Sequence, residues 1–171
     1  MRMSVLIALA AMVVAVACDN PNGGLQKNEH ERAVESIVAQ CQNFDRATFA
    51  QELPGVWKID TDVSYDENWE KITDWCLVLG EYNNDVAGWR STTFEFTADG
   101  KGSYAPDFYW PFEEETPNVF DWHYDAESNK LVFSGGWNMK MEVSGFNDEY
   151  LVFDYYDTTN KKNVREIYKR Q

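Results

Sequence analysis

Acidic and polar side chains recur at every second position from residue 60 to residue 68, a spacing that could serve a calcium loop: Asp60, Asp62, Ser64, Asp66 and Asn68. Oxygen ligands of this kind are those that Ca²⁺ prefers. The EF-hand pattern also requires Gly at its sixth position and Glu at its twelfth, and here those positions hold Tyr65 and Lys71. The stretch is therefore interpreted as a solvated acidic strand, and no metal site is expected.

No pattern in the sequence predicts a catalytic centre. His123 lies between Trp122 and Tyr124, with no second histidine nearby and no Cys-x-x-Cys pair, so we do not expect it to bind metal or act as a general base. Gly-x-Ser-x-Gly, P-loop and His-Glu-x-x-His motifs do not occur. Spacing cannot exclude a carboxylate pair for glycoside hydrolysis, because such partners come from distant strands. We expect neither enzyme activity nor a cofactor.

The composition limits the classes of partner. The 171 residues carry a formal net charge of -14, which argues against nucleic acid, since phosphate contacts need clustered Lys and Arg. Seven Trp, nine Tyr and ten Phe favour strands, because aromatic residues fit a half-buried pleated surface. Most such residues belong to cores. Those that could instead line an apolar pocket, or stack on sugar rings, are Tyr104, Tyr109, Trp110, Trp122, Tyr124, Trp137, Tyr155 and Tyr156.

The first eighteen residues resemble a bacterial lipoprotein signal. Arg2 precedes an apolar run from Val5 to Val16, shorter than the ~20 residues that span a bilayer and within the ~7–15 of a secretory segment. Ala15-Val16-Ala17-Cys18 resembles the lipobox, in which the Cys is lipidated and becomes the mature N-terminus. This implies a signal peptide over 1–17 and a lipid-anchored protein of the bacterial cell envelope, at the outer membrane, on its periplasmic or surface face. The alternative is cleavage after Ala17 and a free periplasmic protein.

A flexible linker is predicted over residues 18–27, where Pro21 and Gly23-Gly24 resist regular structure. If Cys18 carries lipid, Cys41 and Cys76 are the remaining cysteines. In an oxidising compartment they could form a disulfide, which the chain-entropy account values at roughly 3–4 kcal/mol. The alternative is two separate buried thiols.

The pattern of apolar residues predicts a helical segment over 28–53 and strands over 54–171. A stripe at helical spacing runs from Asn28 to Phe44, and a second short helix from Asp45 to Leu53 is stopped by Pro54. Residues 61–90 are interpreted as an extended hairpin or an insertion. Alternating runs separated by turn signals are typical of an antiparallel sandwich or barrel: Val56–Asp60, Thr92–Thr97, Lys101–Ala105, Val119–Tyr124, Lys130–Ser134, Asn138–Ser144, Tyr150–Tyr156 and Asn163–Lys169.

Three short motifs resemble the lipocalin superfamily and, more narrowly, the small lipocalin-like lipoproteins of Bacteroidetes. Gly55-Val56-Trp57 is similar to the Gly-x-Trp of the first lipocalin strand. Residues 96–102, Phe-Thr-Ala-Asp-Gly-Lys-Gly, are similar to a Phe-x-x-Asp-Gly-x-Gly hairpin, and the last strand ends in Lys169-Arg170. The resemblance implies an antiparallel up-and-down β-barrel of about eight strands, preceded by an α-helix.

The resemblance also implies roles for particular residues. In lipocalins the Trp closes the barrel floor and an Arg of the last strand lies across its ring, a contact worth ~0.5–2 kcal/mol. Trp57 and Arg170 are the expected pair, with Arg165 as the second choice of arginine, and Gly55 would allow a tight turn into the strand.

The function that the resemblance implies is a monomeric, lipid-anchored binding protein. Its barrel would hold a small apolar or amphipathic ligand that enters opposite Trp57. The alternative is a non-enzymatic interaction protein with a filled barrel, which binds a protein or glycan through its acidic aromatic surface.

Overall fold

The structure is a computed structural model that describes residues 29–82, 91–107, 118–135 and 138–171. Its strands form one antiparallel sheet in the order β10-β9-β8-β7-β6-β5-β4-β1-β2-β3. Because β10 also pairs with β1, every strand except β2 and β3 belongs to a closed eight-strand barrel. The predicted barrel is thus confirmed. The strands are β1 (Gly55–Tyr65), β2 (Ile72–Val78), β3 (Glu81–Tyr82), β4 (Ser91–Phe96), β5 (Lys101–Asp107), β6 (Asn118–Asp125), β7 (Lys130–Gly135), β8 (Met139–Phe146), β9 (Tyr150–Asp157) and β10 (Lys162–Arg170).

Strand β1 changes its partner halfway along. One edge pairs with β10 over almost its whole length, while the other edge pairs with β4 over residues 55–58 and with β2 over residues 62–65. The hairpin of β2 and β3 therefore branches away from the barrel wall. This hairpin lies within the stretch 61–90 that was interpreted as an extended hairpin or an insertion, and residues 83–90 lie outside the described part of the chain.

A bulge at Asp60 reverses the alternation of β1. Ile59 pairs with Tyr168 and Thr61 pairs with Ile167, so one additional residue of β1 stands between these pairs. Before the bulge, Trp57 and Ile59 belong to the core inside the barrel. After the bulge, Val63 and Tyr65 belong to a second core on the outside of the wall.

The helix α1 (Glu29–Cys41) covers that second core. Val34, Ile37 and Cys41 form its buried stripe, in agreement with the predicted helical spacing. Val152 and Ile167 of the barrel wall are buried in the same cluster. The helix is shorter than predicted, since it ends before Phe44, and Asn28 lies outside the described residues.

A four-residue helix, α2 (Phe49–Glu52), lies against one end of the barrel. The Phe49 ring is fully buried, with its centroid 4.5 Å from that of Tyr124 and 4.8 Å from that of Phe146. Phe44 packs on the same group, 5.4 Å from Phe49. Phe44 is partly buried and Phe49 fully buried, so the segment after α1 packs against this end of the barrel. In the described ranges, no helix is both long and apolar enough to cross a bilayer.

Candidate functional site

Arg170 lies over Trp57 at the end of the barrel that α2 covers, which we call the closed end. The guanidinium carbon is 4.1 Å from the centroid of the fully buried Trp57 ring. The indole Nε1 of Trp57 donates a hydrogen bond of 2.9 Å to the carbonyl of Leu53. The stacking predicted for Arg170 is therefore present. Arg165, the second choice, instead forms a two-pronged ion pair with Asp154, with nitrogen–oxygen distances of 2.6 and 2.7 Å.

The guanidinium of Arg170 also joins three separate segments of main chain. It donates hydrogen bonds to the carbonyls of Glu52 at 2.8 Å, Pro54 at 3.0 Å and Asp148 at 3.1 Å. Each bond satisfies a carbonyl where the chain turns at this end. Arg170 thereby connects the last strand to the segment before β1 and to the turn between β8 and β9.

Gly55 has a position that only glycine fits. Its φ is +147°, a region that residues with a side chain rarely adopt. A Cβ atom there would lie 2.7 Å from Nη1 of Arg170. Gly55 thus permits the close approach of the arginine, in the place where the sequence predicted a tight turn.

The interior next to the closed end is filled by rings that we call the aromatic floor: Phe94, Phe96, Phe120, Phe133, Phe153 and the ring of Tyr168. Phe94 is at its centre, with ring centroids 5.2 Å from Tyr168, 5.9 Å from Phe133 and 6.0 Å from Phe120. All these side chains are buried. Edge-to-face and offset contacts at such distances stabilise the core beyond the burial of area alone. This half of the barrel holds side chains in the place of a ligand.

Beyond the aromatic floor the interior becomes polar. Glu166 is only 5% exposed, and both of its carboxylate oxygens accept hydrogen bonds from phenols. Tyr155 donates to Oε1 at 2.9 Å, and Tyr168 donates to Oε2 at 2.8 Å. Burial raises the pKa of Tyr168 well above its usual value, and the negative charge of Glu166 raises it further. The phenol therefore stays protonated and remains a donor to the carboxylate.

Two further polar side chains belong to this level of the barrel. Asp62 is the direct cross-strand partner of Glu166, so both side chains lie on the same face of the wall. Thr92 lies two residues before Phe94 on β4, and Glu166 lies two residues before Tyr168 on β10. Because side chains alternate along a strand, Thr92 and Glu166 both point inward. They form the next level of the interior beyond the contact between Phe94 and Tyr168. We call Asp62, Thr92, Tyr155 and Glu166 the polar layer.

Thr92 is an unusual member of the polar layer. The residue is 1% exposed, and its Oγ1 has no hydrogen-bond partner among the described residues. A buried hydroxyl without a partner costs about 1–3 kcal/mol. Tyr155 and Asp62 in the same layer are only partly buried.

The described aromatic residues that were predicted to line a ligand pocket lie in different environments. Tyr104 is partly buried, with its ring 5.1 Å from Phe94, close to the polar layer. Trp122 and Tyr124 lie nearer the closed end, where Trp122 donates to the carbonyl of Lys101 at 2.8 Å and Tyr124 packs on Phe49. Tyr155 belongs to the polar layer and Tyr156 is exposed. Tyr109, Trp110 and Trp137 lie outside the described residues.

Sequence reasoning did not single out Thr92 or Glu166 as site residues. A signal for Glu166 was available, because side chains alternate along a strand. Counting back in twos from Arg170, which was expected on the Trp57 ring, passes through Tyr168 and reaches Glu166. Thr92 had no such signal, since a threonine in an alternating strand is ordinary on either face.

Cys41 is a free, buried thiol, which favours the alternative of unpaired cysteines. Burial raises its pKa to about 11, and the charge of Glu149 acts in the same direction. A Cβ on Gly145 would lie 2.7 Å from the Cβ of Cys41, so the helix contacts the wall closely here. The side chain of Cys76 and the predicted lipidation site Cys18 lie outside the described parts of the structure.

The described residues also line surface grooves, two of which are wide and shallow. One, of about 270 Å³, lies beside the β1 bulge and is lined mainly by Lys58, Asp60, Lys169 and Gln171. The other, of about 420 Å³, includes Lys101, Val119 and Asp121. For the portion of the chain with described side chains, no group of three or more His, Cys, Asp or Glu residues is placed to hold a metal ion.

No protein-family model matches the chain, and no curated protein matches it. The arrangement of its own residues is therefore what supports a function. The most distinctive arrangement is a polar layer above an aromatic floor, inside a barrel that is closed at one end.

Proposed function

We propose that this protein is a lipid-anchored binding protein of the bacterial cell envelope, whose lipocalin-like barrel holds one small amphipathic ligand without transforming it. The observation that supports the proposal is the polar layer: a carboxylate and an unpartnered hydroxyl inside the barrel, directly beyond the aromatic floor. A filled, purely structural barrel would be more stable with apolar residues at these positions.

The contrast between the two halves of the interior defines how a ligand would lie. The aromatic floor occupies the half next to Trp57, so a ligand inside the barrel would have to lie beyond Phe94 and Tyr168. There it would contact aromatic rings on one side and the polar layer on the other. A molecule with an apolar part and a polar group fits this environment better than a wholly apolar one.

The direction of α1 links the proposed anchor to the proposed site. The helix begins beside the turn between β1 and β2, where the His30 ring is 5.4 Å from Trp75, and it ends at Cys41 against Gly145 near the closed end. The segment before α1 therefore joins the domain at the end that lies away from Trp57. A flexible linker of the length of residues 18–28 has an end-to-end distance of roughly 18 Å. A lipid on Cys18 would then keep the site near the membrane, a source of amphipathic molecules.

The experiment is native mass spectrometry of the purified protein, followed by extraction and identification of whatever it carries. We expect a stoichiometric small molecule, or saturable binding of an apolar fluorescent probe. An unliganded mass with no response to such probes would contradict the proposed function. The intact mass also tests the anchor. A wild-type chain that begins at Cys18 should carry the added mass of a lipid, and the Cys18→Ser variant should lack it.

A second candidate function is an interaction protein with a filled barrel. The packing of the aromatic floor favours it, since half of the interior is occupied by side chains alone. Its partner would be a protein or glycan at the acidic, aromatic surface. Under this function the probe response would be absent and a soluble glycan or protein would bind independently of Thr92 and Glu166.

A further inference from the structure

The turn that joins β2 to β3 has an unusual residue at its tip. Leu79 and Gly80 both have positive φ, +52° and +74°, and Val78 pairs with Glu81 on either side of them. Two successive residues in this conformation form a type I′ turn, whose first position favours Asn, Asp or Gly. A leucine in that position is strained, because its side chain disfavours the left-handed region of backbone conformation.

Burial offsets only part of this strain, since the Leu79 side chain is 43% exposed. The turn is nevertheless fixed to the barrel. The amide of Leu79 donates a hydrogen bond to Thr61 Oγ1 at 3.1 Å, and the amide of Gly80 donates to the carbonyl of Asp60 at 2.9 Å. Strained residues that the surrounding structure holds in place concentrate at functional sites. Leu79 is therefore a candidate contact residue.

A surface groove of about 270 Å³ lies beside this turn, with Gly80 in its lining. Lys58 and Lys169 also line it, and they are direct cross-strand partners, an arrangement in which like charges repel each other. Lys169 forms an ion pair with Glu149 at 3.1 Å, whereas Lys58 has no ion pair with any described residue. One positive charge of the groove is thus available to a partner.

The remaining groups of the groove are a carboxylate and an amide. Asp60 is half-buried and accepts a hydrogen bond from the hydroxyl of Thr61 at 3.2 Å. Gln171 donates from its main chain to the carbonyl of Val56 at 2.9 Å. Val56 is 38% exposed and lies two residues before Lys58, on the same face of β1. We call this groove, together with Val56 and Leu79 beside it, the hairpin groove.

We propose that the hairpin groove binds an acidic peptide segment of a partner protein, in which a carboxylate lies next to an apolar side chain. The carboxylate would pair with Lys58, and the apolar side chain would contact Leu79. Charge complementarity favours this occupant at Lys58, because the net charge of -14 repels acidic partners from the molecule as a whole. A groove between a hairpin tip and the barrel wall also receives an extended chain more readily than the flat surface of a bilayer. Since the groove is on the outside of the wall, its role is independent of the interior ligand site.

Two matched peptides test the proposal. We would titrate the ¹⁵N-labelled full-length protein with an end-capped hexapeptide of alternating leucine and glutamate, and with the same peptide carrying glutamine in place of glutamate. We expect saturable shifts of the amide signals of Lys58, Gly80 and Gln171, with about three-fold weaker binding of the glutamine peptide. No saturable binding of the acidic peptide, or equal affinity for both peptides, would overturn the proposal.

Two lysine variants test where the peptide binds. Lys58→Gln should lower the affinity for the acidic peptide about three-fold, whereas Lys140→Gln, at an exposed position on β8, should leave it unchanged. An equal loss in both variants would indicate general electrostatic attraction and would overturn the assignment to the hairpin groove. Binding to phosphatidylglycerol vesicles that disappears in Lys58→Gln, with no peptide binding, would assign the surface to lipid headgroups instead.

Leu79→Asn separates binding from folding. Because asparagine suits the first position of a type I′ turn, the Tm of the unliganded protein should rise by about 2 °C or more. The affinity for the acidic peptide should fall about five-fold, since the apolar contact is lost. A lower Tm would show that Leu79 supports the fold, and an unchanged affinity would place it outside the contact. Either result would overturn its role in binding.

Discussion

Arg170 stacks on Trp57 with 4.1 Å between the guanidinium carbon and the ring centroid, and it holds the two ends of the barrel sequence together. The same guanidinium donates to the carbonyls of Glu52, Pro54 and Asp148. The contact therefore combines a cation–π interaction with hydrogen bonds to three segments of main chain. Its role is to stabilise the closed end, and it lies on the opposite side of the aromatic floor from the polar layer.

Arg170→Ala should lower the free energy of unfolding by about 2–4 kcal/mol, because both the stacking and the hydrogen bonds are lost. Urea unfolding would measure this. Lys169→Ala is the control, since Lys169 is exposed and its ion pair with Glu149 at 3.1 Å is screened by solvent and should contribute little to stability. Ligand affinity should not change in Arg170→Ala. A loss of affinity at unchanged stability would contradict the structural role of this arginine.

Gly55→Ala should destabilise the fold more than Gly80→Ala. Both glycines have positive φ, +147° and +74°, so alanine strains the backbone at each position. An added Cβ meets nothing within 4 Å at Gly80, whereas at Gly55 it meets Nη1 of Arg170 at 2.7 Å. We expect about 1–2 kcal/mol for Gly80→Ala and a larger loss for Gly55→Ala. Equal losses of stability in the two variants would show that displacing the Arg170 side chain adds no destabilisation.

Thr92→Val should stabilise the unliganded protein by about 1 kcal/mol, because it removes a buried hydroxyl that has no partner. Thr93→Val, on the other face of the strand, should have little effect. Thermal unfolding of both variants without ligand would measure the difference. Stabilisation combined with weaker ligand binding is typical of a residue retained for function. A clear loss of stability in Thr92→Val would instead indicate that the hydroxyl supports the fold.

Met139→Trp should weaken ligand binding, whereas Lys140→Trp should not. Met139 is partly buried, packs against the interior core and starts β8 at the end away from Trp57. A larger ring there would take up space beyond the aromatic floor. Lys140 is the next residue and is exposed, so its substitution controls for the general effect of an added Trp. Titration with the apolar probe would compare the two, and equal affinities would place the ligand outside the barrel.

Stability should decline as the pH rises from 9.0 towards about 11, in part because of Cys41. The pKa of its thiol is raised from 9.0 in the folded state, so folding favours the protonated form. The stability that the protonated Cys41 thiol provides is therefore complete below pH 9.0, and it is lost as the pH rises towards the pKa of about 11 in the folded protein. Cys41→Ala should lower stability at neutral pH, by leaving a cavity, but should show a smaller decline over this window. An identical decline in both proteins would assign the effect to other groups.

Much of the barrel wall could be predicted from the sequence. Alternation and turn residues predicted the hairpins from β4 to β10, and Gly100, with φ of +80°, ends the predicted turn between β4 and β5. The helical stripe of α1 was also readable, because Val34, Ile37 and Cys41 recur at helical spacing. These features depend on local preferences, which a sequence records directly.

The polar layer and the β1 bulge could not be predicted in the same way. A single additional residue at Asp60 moves Val63 and Tyr65 to the outer face of the wall. The alternation of residue types along β1 does not indicate this bulge. Glu166 is charged, so the pattern favours an exposed position, and its burial depends on Tyr155 of the neighbouring strand. Contacts between strands decide both features, and such contacts appear only when the barrel is closed.

The pairing of β1 with β10 also determines when the protein can finish folding. The guanidinium of Arg170 donates a hydrogen bond to the carbonyl of Pro54, 116 positions earlier in the chain. Almost every residue of β1 pairs with a residue of the final strand. Loop closure over such a separation is slow compared with the formation of local hairpins. A chain that emerges from its N-terminus during synthesis would therefore expose the edge of β1 until the residues of β10 are available, and any truncation within β10 would leave that edge free for aggregation.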